Sequence, residues 1–350
     1  MTSEFSPVRS EDSFDIDAVH EWLSERISNL GTAPSVTQFR SGASNLTYLL
    51  RYENRDLVLR RAPIGTKAVS AHNMKREALI QQRLRPVLAY VPNVVATCDD
   101  PEIIGADFYV MDKIDGLILR RNAPVELAGR PHDLKLIGTA AIEGLVKLHQ
   151  LDASILAELN KGPGYVARQV AGWSSRYRSA LTDDVPNGEE LIGWLNERQP
   201  NDVATCVIHG DWRLDNMVFN LDSAPKLVGV LDWELATVGD PLMDLGSAMA
   251  YWIDKNDEPR FAAMRRQPTH LEGIPTREEF IHRYLEASSW QCDDFTFYEI
   301  FGLFRLAVIA QQIWARYRKG ETSNPDFADF GDGVRTLMER AEKIASRGHA

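Results

Sequence analysis

The hydrophobic pattern of this 350-residue chain changes its period near Gly116, and this change limits what the chain can fold into. Before Gly116, short apolar runs alternate with polar turns, which is the pattern of β-strands. After Gly116, apolar residues recur mostly at helical spacing. We therefore predict an α+β protein with a disordered tail at residues 1–13, a small antiparallel-sheet N-lobe at residues 14–115 and a larger helical C-lobe at residues 116–350.

Individual segments follow the same division. In the N-lobe we predict strands at 36–39, 46–52, 57–60, 94–98 and 108–114, and helices at 14–30 and 68–84. In the C-lobe we predict helices at 132–151, 166–181, 189–196, 241–253, 277–288, 295–318 and 332–347, with short strands at 206–208, 217–219 and 227–231.

Composition narrows the function classes. Lysine and arginine number 39 against 50 acidic residues, a net charge of −11, which argues against general nucleic-acid binding and against an anionic membrane surface. A few local cations or a metal ion would still suffice for a phosphate-bearing ligand. The chain has neither a long uncharged apolar run nor a secretory leader pattern, so no membrane span is predicted. Cys98, Cys206 and Cys292 are too far apart for a zinc or disulfide framework, which favours a cytoplasmic compartment.

The segment VIHGDWRLDN at residues 207–216 is the most informative. Its spacing H-x-D-x-x-x-x-N is typical of a phosphotransferase catalytic loop. Asp211 would accept or orient the proton of an attacking hydroxyl, and Asn216 could hold Mg²⁺ through a neutral amide oxygen. Asp232, at the end of the apolar run 227–231, is the candidate for a second metal ligand. Each motif alone is ordinary turn chemistry, but their order along the chain favours the catalytic interpretation.

Arg213, two residues after Asp211, is a candidate to offset the charge of a transferred phosphoryl group. An ion pair with Asp215, or a solvated side chain, is the alternative.

Two sets of residues are predicted to grip the phosphates of a nucleotide. The turn 41–45, with Ser44 and Asn45, has small residues whose backbone N–H groups could lie over phosphates, although it is also an ordinary hairpin turn. Arg60, or Arg61 on the opposite face of the same strand, is the candidate cation, and Glu77 on the following helix is the candidate carboxylate that holds it. Surface positions for all three charged side chains are the alternative.

The strand 108–112 runs into a turn between the predicted lobes. Its backbone around Met111 and Lys113 could pair with the edge of an adenine, and Met111 would pack softly against the base. A core strand followed by a linker is the alternative.

Six segments, in this order, resemble the aminoglycoside phosphotransferase/choline kinase family, a branch of the protein-kinase-like fold. They are SGASNLTY (41–48), LVLRRAP (57–63), HNMKREALIQQRL (72–84), FYVMDKIDG (108–116), VIHGDWRLDNMVF (207–219) and GVLDWELATVGDPLMDLG (229–246). The last two are the most specific. Within the family, the chain looks most like the subgroup that includes the kinase-like domains attached to some acyl-CoA dehydrogenases.

The resemblance implies a bilobal protein-kinase-like fold that phosphorylates a hydroxyl of a small molecule, with ATP or GTP and Mg²⁺. It implies Asp211 as the base, Asn216 and Asp232 as metal ligands, and Arg60 with Glu77 as the phosphate anchor.

The resemblance further implies that His209 braces the loop and that Asp240 is mainly architectural. Asp240 also precedes Pro241 in the pattern of a helix N-cap. Two departures stand out: both candidate anchoring cations are arginines where lysine is common, and Ala43 stands where the subgroup often has glycine.

The acceptor is expected to bind in the C-lobe. A polycationic aminoglycoside would need carboxylates such as Asp293, Asp294 and Glu299. The segment 295–318 is instead apolar and aromatic, and it carries Arg305 with two further arginines, Arg316 and Arg318. This composition suits an apolar or anionic acceptor, such as a hydroxyacyl thioester, and core packing is the alternative.

We therefore predict an ATP-dependent small-molecule O-kinase. A nucleotide-binding regulator without turnover is the alternative. A protein kinase is disfavoured, because the sequence has neither a G-x-G-x-x-G loop nor an A-P-E segment.

Overall fold

A computed structural model of the chain describes residues 5–39, 45–62, 73–322 and 324–347. These residues form two compact units. The first consists of the described residues up to Gly116 together with Val228–Ala236, and the second consists of Leu117–Leu227 and the described residues from Thr237 onward. The first unit is rich in antiparallel sheet and the second is mainly helical, which confirms the predicted fold class.

The first unit contains one antiparallel sheet with the strand order β1-β2-β3-β4-β6-β5. Its strands are β1 (Phe5–Ser6), β2 (Ser35–Phe39), β3 (Leu46–Arg51), β4 (Asp56–Arg61), β5 (Val94–Cys98) and β6 (Phe108–Asp112). Its helices are α1 (Ile16–Ser24), α2 (Met74–Leu84) and α3 (Pro101–Ile104). The five strands predicted from the sequence are present. Helix α1 ends earlier than predicted, and α3 was not predicted. Helix α2 begins at Met74, and residues 68–72 of the predicted helix lie outside the described residues.

Alternation along β4 separates the two faces of this sheet. Leu57 and Leu59 belong to a core cluster that contains Leu23 of α1, whereas Val58 packs with Met74 at the start of α2. Successive side chains of a strand point to opposite faces. Two layers of core are thereby formed, one under each helix.

The segment expected to be a disordered tail differs from that prediction over residues 5–13. Strand β1 pairs with β2, and the carbonyl of Asp12 accepts hydrogen bonds from Tyr48 Oη and Arg61 Nη2, both at 2.7 Å. Residues 1–4 lie outside the described residues. The polar sequence of residues 5–13 did not indicate that they are ordered, because their contacts are with strands further along the chain.

Residues Val228–Ala236 also differ from the predicted division, which assigned them to the C-lobe. The Val230 N–H donates to the carbonyl of Tyr90 at 2.7 Å. Arg76 of α2 donates to the carbonyls of Glu234 and Ala236 at 2.7 and 2.5 Å. These backbone contacts attach the segment to the first unit.

The second unit contains most of the helices. They are α4 (Pro131–His149), α5 (Tyr165–Ala180), α6 (Glu189–Glu197), α7 (Pro241–Met249), α8 (Pro259–Ala263), α9 (Arg277–Ser288), α10 (Thr296–Arg318) and α11 (Phe330–Arg347). Its strands are β7 (Leu117–Ile118), β8 (Cys206–Ile208), β9 (Met217–Asn220) and β11 (Thr237–Gly239), and β10 (Lys226–Val230) crosses into the first unit. No helix in the described ranges has both the length and the apolar character that a membrane span requires.

Local capping explains why several helices of this unit begin where the sequence predicts. Thr276 and Glu279 form a capping box at the start of α9, whose bounds match the prediction. Asp240 accepts hydrogen bonds from the N–H groups of Leu242 and Met243 at 2.9 and 3.0 Å, so it is the N-cap of α7.

Helices α7 and α10 cross with their backbones in direct contact. A Cβ atom built on Gly302 would lie 2.0 Å from the carbonyl oxygen of Gly246, and one built on Gly246 would lie 2.3 Å from that of Tyr298. Only glycine allows this approach, because the obstacle is backbone on both sides. The crossing holds α7, which carries Asp244, close to α10.

We expect Gly302→Ala to lower the free energy of unfolding by about 2–3 kcal/mol, because the added methyl group forces the two helix backbones apart. Denaturant unfolding followed by far-UV circular dichroism measures the change. Gly193→Ala in α6 is the matched control, since a Cβ there meets no atom within 4 Å. The control should be neutral or stabilising by up to about 1 kcal/mol. Equal stability of the two variants would contradict the crossing.

Candidate functional site

The loop between β8 and β9 brings two of the predicted residues together. Gly210 has a φ of 81°, a left-handed conformation that glycine adopts at little cost, and a 3-10 turn at Leu214–Asn216 closes the loop. As a result, Asn216 Nδ2 donates to the carboxylate Oδ2 of Asp211 at 2.9 Å and to its carbonyl at 3.0 Å. The Asp211 side chain is 14% exposed, so its carboxylate remains accessible.

The backbone of this loop is fixed by Asp244 on α7. The N–H groups of His209 and Gly210 donate to its two carboxylate oxygens, each at 2.8 Å. Burial raises the pKa of Asp244, but the hydrogen bond and charge of His149, with help from His209, outweigh it and hold the pKa below its usual value. Asp244 is therefore ionised at neutral pH.

A buried chain of polar groups continues from Asp244 to α9. His149 Nε2 lies 3.1 Å from Asp244 Oδ2, and His149 Nδ1 lies 2.5 Å from the hydroxyl of Tyr284. All three residues are almost completely buried. Buried polar groups need hydrogen-bond partners, and His149 provides one for both Asp244 and Tyr284.

His209 has the bracing position that the resemblance implies. Its side chain is fully buried, its Nδ1 accepts from the Asp211 N–H at 3.2 Å, and its ring meets Trp212 edge-on at 5.7 Å. These contacts make His209 a positioning residue for the backbone that carries Asp211.

Arg213 adopts the ion-paired arrangement that the sequence left open. Its Nε atom lies 3.1 Å from Asp211 Oδ1 and 3.4 Å from Asp215 Oδ1. Its guanidinium carbon also lies 4.5 Å from the ring centroid of Tyr251. A contact with a transferred phosphoryl group stays a prediction.

Sequence reasoning missed several residues that hold this loop. Asp244, His149 and Tyr284 were not singled out, and neither was Gln267, whose Oε1 accepts the Leu214 N–H at 2.7 Å. A usable signal existed for Asp244, because a carboxylate on the otherwise apolar helix α7 must be paired if it is buried. The others come from distant segments and carry no local signal.

In the first unit, Arg60 lies at the centre of a separate charge cluster. Its Nη1 is 3.2 Å from Glu77 Oε1, and its Nη2 is 2.7 Å from Asp232 Oδ1 and 3.3 Å from Glu234 Oε2. Burial of Glu77 raises the pKa of its carboxyl, which the Arg60 charge opposes. The structure therefore brings Arg60, Glu77 and Asp232 together, as the sequence interpretation requires.

Arg61 faces the other side of the sheet. It is fully buried, and its Nη2 donates to Tyr48 Oη at 3.2 Å as well as to the Asp12 carbonyl. Strand alternation puts the two arginines on opposite faces, and only Arg60 lies on the face that carries α2. Its contact with phosphate stays a prediction.

The turn expected to cover phosphates is described only at its last residue. Asn45 Nδ2 donates to Glu234 Oε2 at 2.8 Å. Ser44 and the rest of the turn lie outside the described residues. Glu234 was not predicted, although its place two residues after Asp232 puts it within reach of the same arginine.

The predicted adenine-binding segment is built into the sheet. Met111 pairs with Val58 of β4 and Val94 of β5 and is buried. The Lys113 N–H donates to the carbonyl of Asp56 at 3.3 Å, and its ammonium group pairs with Asp115. The Lys113 N–H is therefore engaged within the unit, and pairing with adenine stays a prediction.

The donors predicted to bind Mg²⁺ suit that ion. Asp232 offers a carboxylate, and both hydrogen bonds of the Asn216 amide nitrogen go to Asp211, which leaves the amide oxygen to bind a cation. Where the chain is described, no three His, Cys, Asp or Glu side chains group closely enough to hold a metal by themselves. Mg²⁺ commonly takes one or two protein oxygens together with substrate phosphates and water, so each of these two donors is of a kind that the ion takes.

The acidic residues considered for a polycationic acceptor lie elsewhere in the second unit. Asp293 and Asp294 line a cavity of about 350 Å³ beside the stacked pair Trp194–Phe297, and Glu299 lines another of about 540 Å³. Residues 209–216 line neither cavity. The structure thus does not bring these carboxylates to the loop.

Comparison with known proteins agrees with this geometry. Residues 35–280 match the sequence profile of the phosphotransferase enzyme family. Acyl-CoA dehydrogenase family member 10 of Mus musculus is 35% identical over 346 residues, which are 97% of this chain and 32% of that protein. The chain thus spans about a third of the length of this curated relative, and the predicted resemblance to such attached domains is confirmed.

Solved structures show the same fold. A Ralstonia eutropha protein provisionally named an aminoglycoside phosphotransferase matches with a TM-score of 0.80 and 28% identity, over 96% of this chain and 99% of that one. The ternary complex of streptomycin, ATP and APH(2")-IIa matches with a TM-score of 0.57 and 17% identity, over 95% of this chain and 99% of that one. The second likeness concerns the fold alone.

We expect Asp244→Asn to lower the free energy of unfolding at pH 7 by about 3 kcal/mol, because an amide cannot accept from both loop N–H groups and His149. Chemical denaturation measures the change, with the exposed Asp329→Asn as the control.

The same variant has a defined pH dependence. Because folding lowers the pKa of Asp244, the stability it contributes is present above the unfolded pKa of about 3.9 and is lost as the pH falls through the folded value. The difference between wild type and Asp244→Asn should shrink below about pH 4. A difference that stays constant down to pH 2 would contradict the assignment.

Proposed function

We propose that this chain, which belongs to the phosphotransferase enzyme family, transfers the γ-phosphoryl group of ATP to a hydroxyl group of a small molecule. The observation that carries the proposal is the loop geometry around Asp211. Its carboxylate accepts from Asn216 at 2.9 Å on a loop that is fixed by two backbone hydrogen bonds to Asp244. An accessible carboxylate held in this way is what a hydroxyl acceptor requires.

Asp211 would orient the acceptor hydroxyl and accept its proton as the new bond to phosphorus forms. Asn216 and Arg213 contact different oxygens of the carboxylate, which limits its rotation. Orientation is a large part of catalysis in phosphoryl transfer, because the protein has little covalent chemistry to perform.

The nucleotide would be held mainly by the first unit. Arg60, braced by Glu77, would contact the phosphates, with Ser44 and Asn45 over them and the segment of Met111 and Lys113 beside the base. Asp232 and Asn216 would hold Mg²⁺, which neutralises phosphate charge when bound. The solved neighbour with ATP and streptomycin supports ATP as the donor, and GTP is the variant to test beside it.

A small-molecule acceptor is supported by the neighbours whose names refer to aminoglycosides. The acyl-CoA dehydrogenase relative supports a different acceptor, a hydroxyacyl thioester or a related metabolite. The cytoplasmic location predicted from the cysteines stays a prediction, as does the expectation that neither nucleic acid nor membrane is a partner.

We expect Asp211→Asn to lower kcat by about 10²–10⁴-fold and to change Mg²⁺–ATP affinity little, because the amide cannot take the proton. A coupled ADP-release assay over hydroxy acids, hydroxyacyl thioesters, amino alcohols, sugars and aminoglycosides provides the acceptor and the rate. Asp329→Asn is the matched control. Full turnover by Asp211→Asn would refute the assignment of the base.

The same assay separates the kinase from a nucleotide-binding regulator. Calorimetric binding of Mg²⁺–ATP by the wild type, with no transfer to any acceptor in the screen, would favour the regulator.

Arg60 and Arg61 offer a second matched comparison. We expect Arg60→Met to weaken Mg²⁺–ATP binding by about 10–100-fold, because a charged contact to phosphate is lost. Arg61→Met should lower stability through its buried hydrogen bonds and leave the calorimetric affinity of the folded protein within about twofold. Equal affinities for the two variants would exclude Arg60 as the phosphate anchor.

A further inference from the structure

Arg305 of α10 lies against the loop that carries Asp211. Its Nη2 donates to the carbonyl of Gly210 at 2.7 Å, and its guanidinium carbon lies 5.1 Å from the ring centroid of Trp173 on α5. Only 7% of the residue is exposed. A permanent cation is therefore withdrawn from water one residue away from the proposed base.

In the described part of the chain, the charge of Arg305 has no carboxylate within ion-pair distance. Across the described residues, no Asp or Glu lies within ion-pair distance of its guanidinium, and its hydrogen bond goes to a neutral carbonyl. Arg213 of the same loop, by contrast, has Asp211 and Asp215 beside it. Burying a cation without a counter-charge is costly. An anion that binds beside Arg305 would therefore gain a favourable charge interaction that no carboxylate of the described chain supplies.

Part of the guanidinium is available to a ligand. The other nitrogen atoms of Arg305 donate to no described residue, yet they are not among the fully buried atoms that lack a partner. They therefore keep a small contact with solvent in a residue that is otherwise buried. The planar fork of arginine donates two parallel hydrogen bonds to a carboxylate or a phosphate, and this geometry suits the exposed edge.

The surroundings of Arg305 add positive charge and aromatic surface. Arg176, which is exposed and also lacks a carboxylate partner in the described chain, lies 4.6 Å from the ring centroid of Trp173. Trp173 is half-buried. Burial raises the pKa of Tyr165 and of Tyr251, and the charges of Asp244 on Tyr165 and of Asp211 on Tyr251 add to this, whereas the charge of Arg305 opposes both shifts. Both phenols therefore lie near Arg305, with these two carboxylates also in their surroundings. An anionic group attached to an apolar chain fits such a lining.

We propose that Arg305 is an anion subsite for the acceptor, and that the acceptor is a hydroxy compound bearing a carboxylate or a phosphate. The inference rests on the proposed function, since it takes Asp211 to be the group that orients the acceptor hydroxyl. It disfavours a polycationic acceptor: among the described residues no carboxylate lies within ion-pair distance of the cation at the loop, and Asp293, Asp294 and Glu299 line cavities to which the loop contributes no residue.

Calorimetric binding to the full chain tests the subsite without any need for turnover. Three probes share one hydroxyl-bearing skeleton: 3-hydroxybutyrate, which carries a carboxylate; 3-hydroxybutyl phosphate, which carries a phosphate; and the uncharged methyl ester of 3-hydroxybutyrate. The wild type should bind one of the two anionic probes at least about tenfold more tightly than the methyl ester. Preference for the free acid identifies a carboxylate ligand, and preference for 3-hydroxybutyl phosphate identifies a phosphate ligand.

Variants separate recognition from a merely structural role. Arg305→Met should weaken the preferred anionic probe by about 10–100-fold and leave the affinity for the ester unchanged. Arg305→Lys, which keeps the charge, should retain part of the preference. Arg316→Met on the same helix is the control, because Arg316 is exposed, and it should bind as the wild type does.

Three results would overturn the proposal. They are a wild type that prefers neither anionic probe over the ester, an equal loss of all three probes in Arg305→Met, and an equal loss in Arg316→Met. A chain that forms no ADP with any acceptor would refute the kinase assignment, while the binding data would still decide the anion subsite.

Discussion

In the second unit, one buried carboxylate holds the backbone of the loop that carries Asp211. Asp244 accepts the N–H groups of His209 and Gly210 and is held in turn by His149, which reaches Tyr284. Without Asp244, the N–H groups of His209 and Gly210 would lack hydrogen-bond partners, at a cost of a few kcal/mol. The carboxylate satisfies both at once, and its charge is tolerated because an imidazole lies beside it. The position of the proposed base therefore depends on a carboxylate of α7, which contacts the backbone just before Asp211.

Charge is organised differently in the first unit. One guanidinium, that of Arg60, contacts Glu77, Asp232 and Glu234. Within the described residues, this cluster joins three carboxylates to one guanidinium. The fork of arginine reaches the helix carboxylate with one nitrogen and Asp232 with the other, which the single ammonium group of a lysine would not do in the same way.

The net charge of −11 conceals this local arrangement. At the loop of the second unit, Arg213 is paired with two carboxylates, whereas among the described residues Arg305 contacts a carbonyl and an indole and no carboxylate within ion-pair distance. A chain that is acidic overall thus places a cation without a direct ion pair, in its described part, near its proposed base. Total charge reports on solubility and long-range attraction, and the chemistry of a site depends on which charges lack a partner.

The sequence by itself determined most of the strands and helices, the loop motif from His209 to Asn216, the cap of α7 and the bounds of α9, because periodicity, turn chemistry and capping act between residues a few positions apart. It also offered Arg60 and Arg61 as candidates for a phosphate anchor, of which alternation allows only one to face a given side of the sheet. Only the tertiary structure decided which face meets α2, joined Asp244 to His149 and Tyr284, and ordered residues 5–13 against the sheet. These pairings link positions tens to more than a hundred residues apart, and only packing brings such positions together.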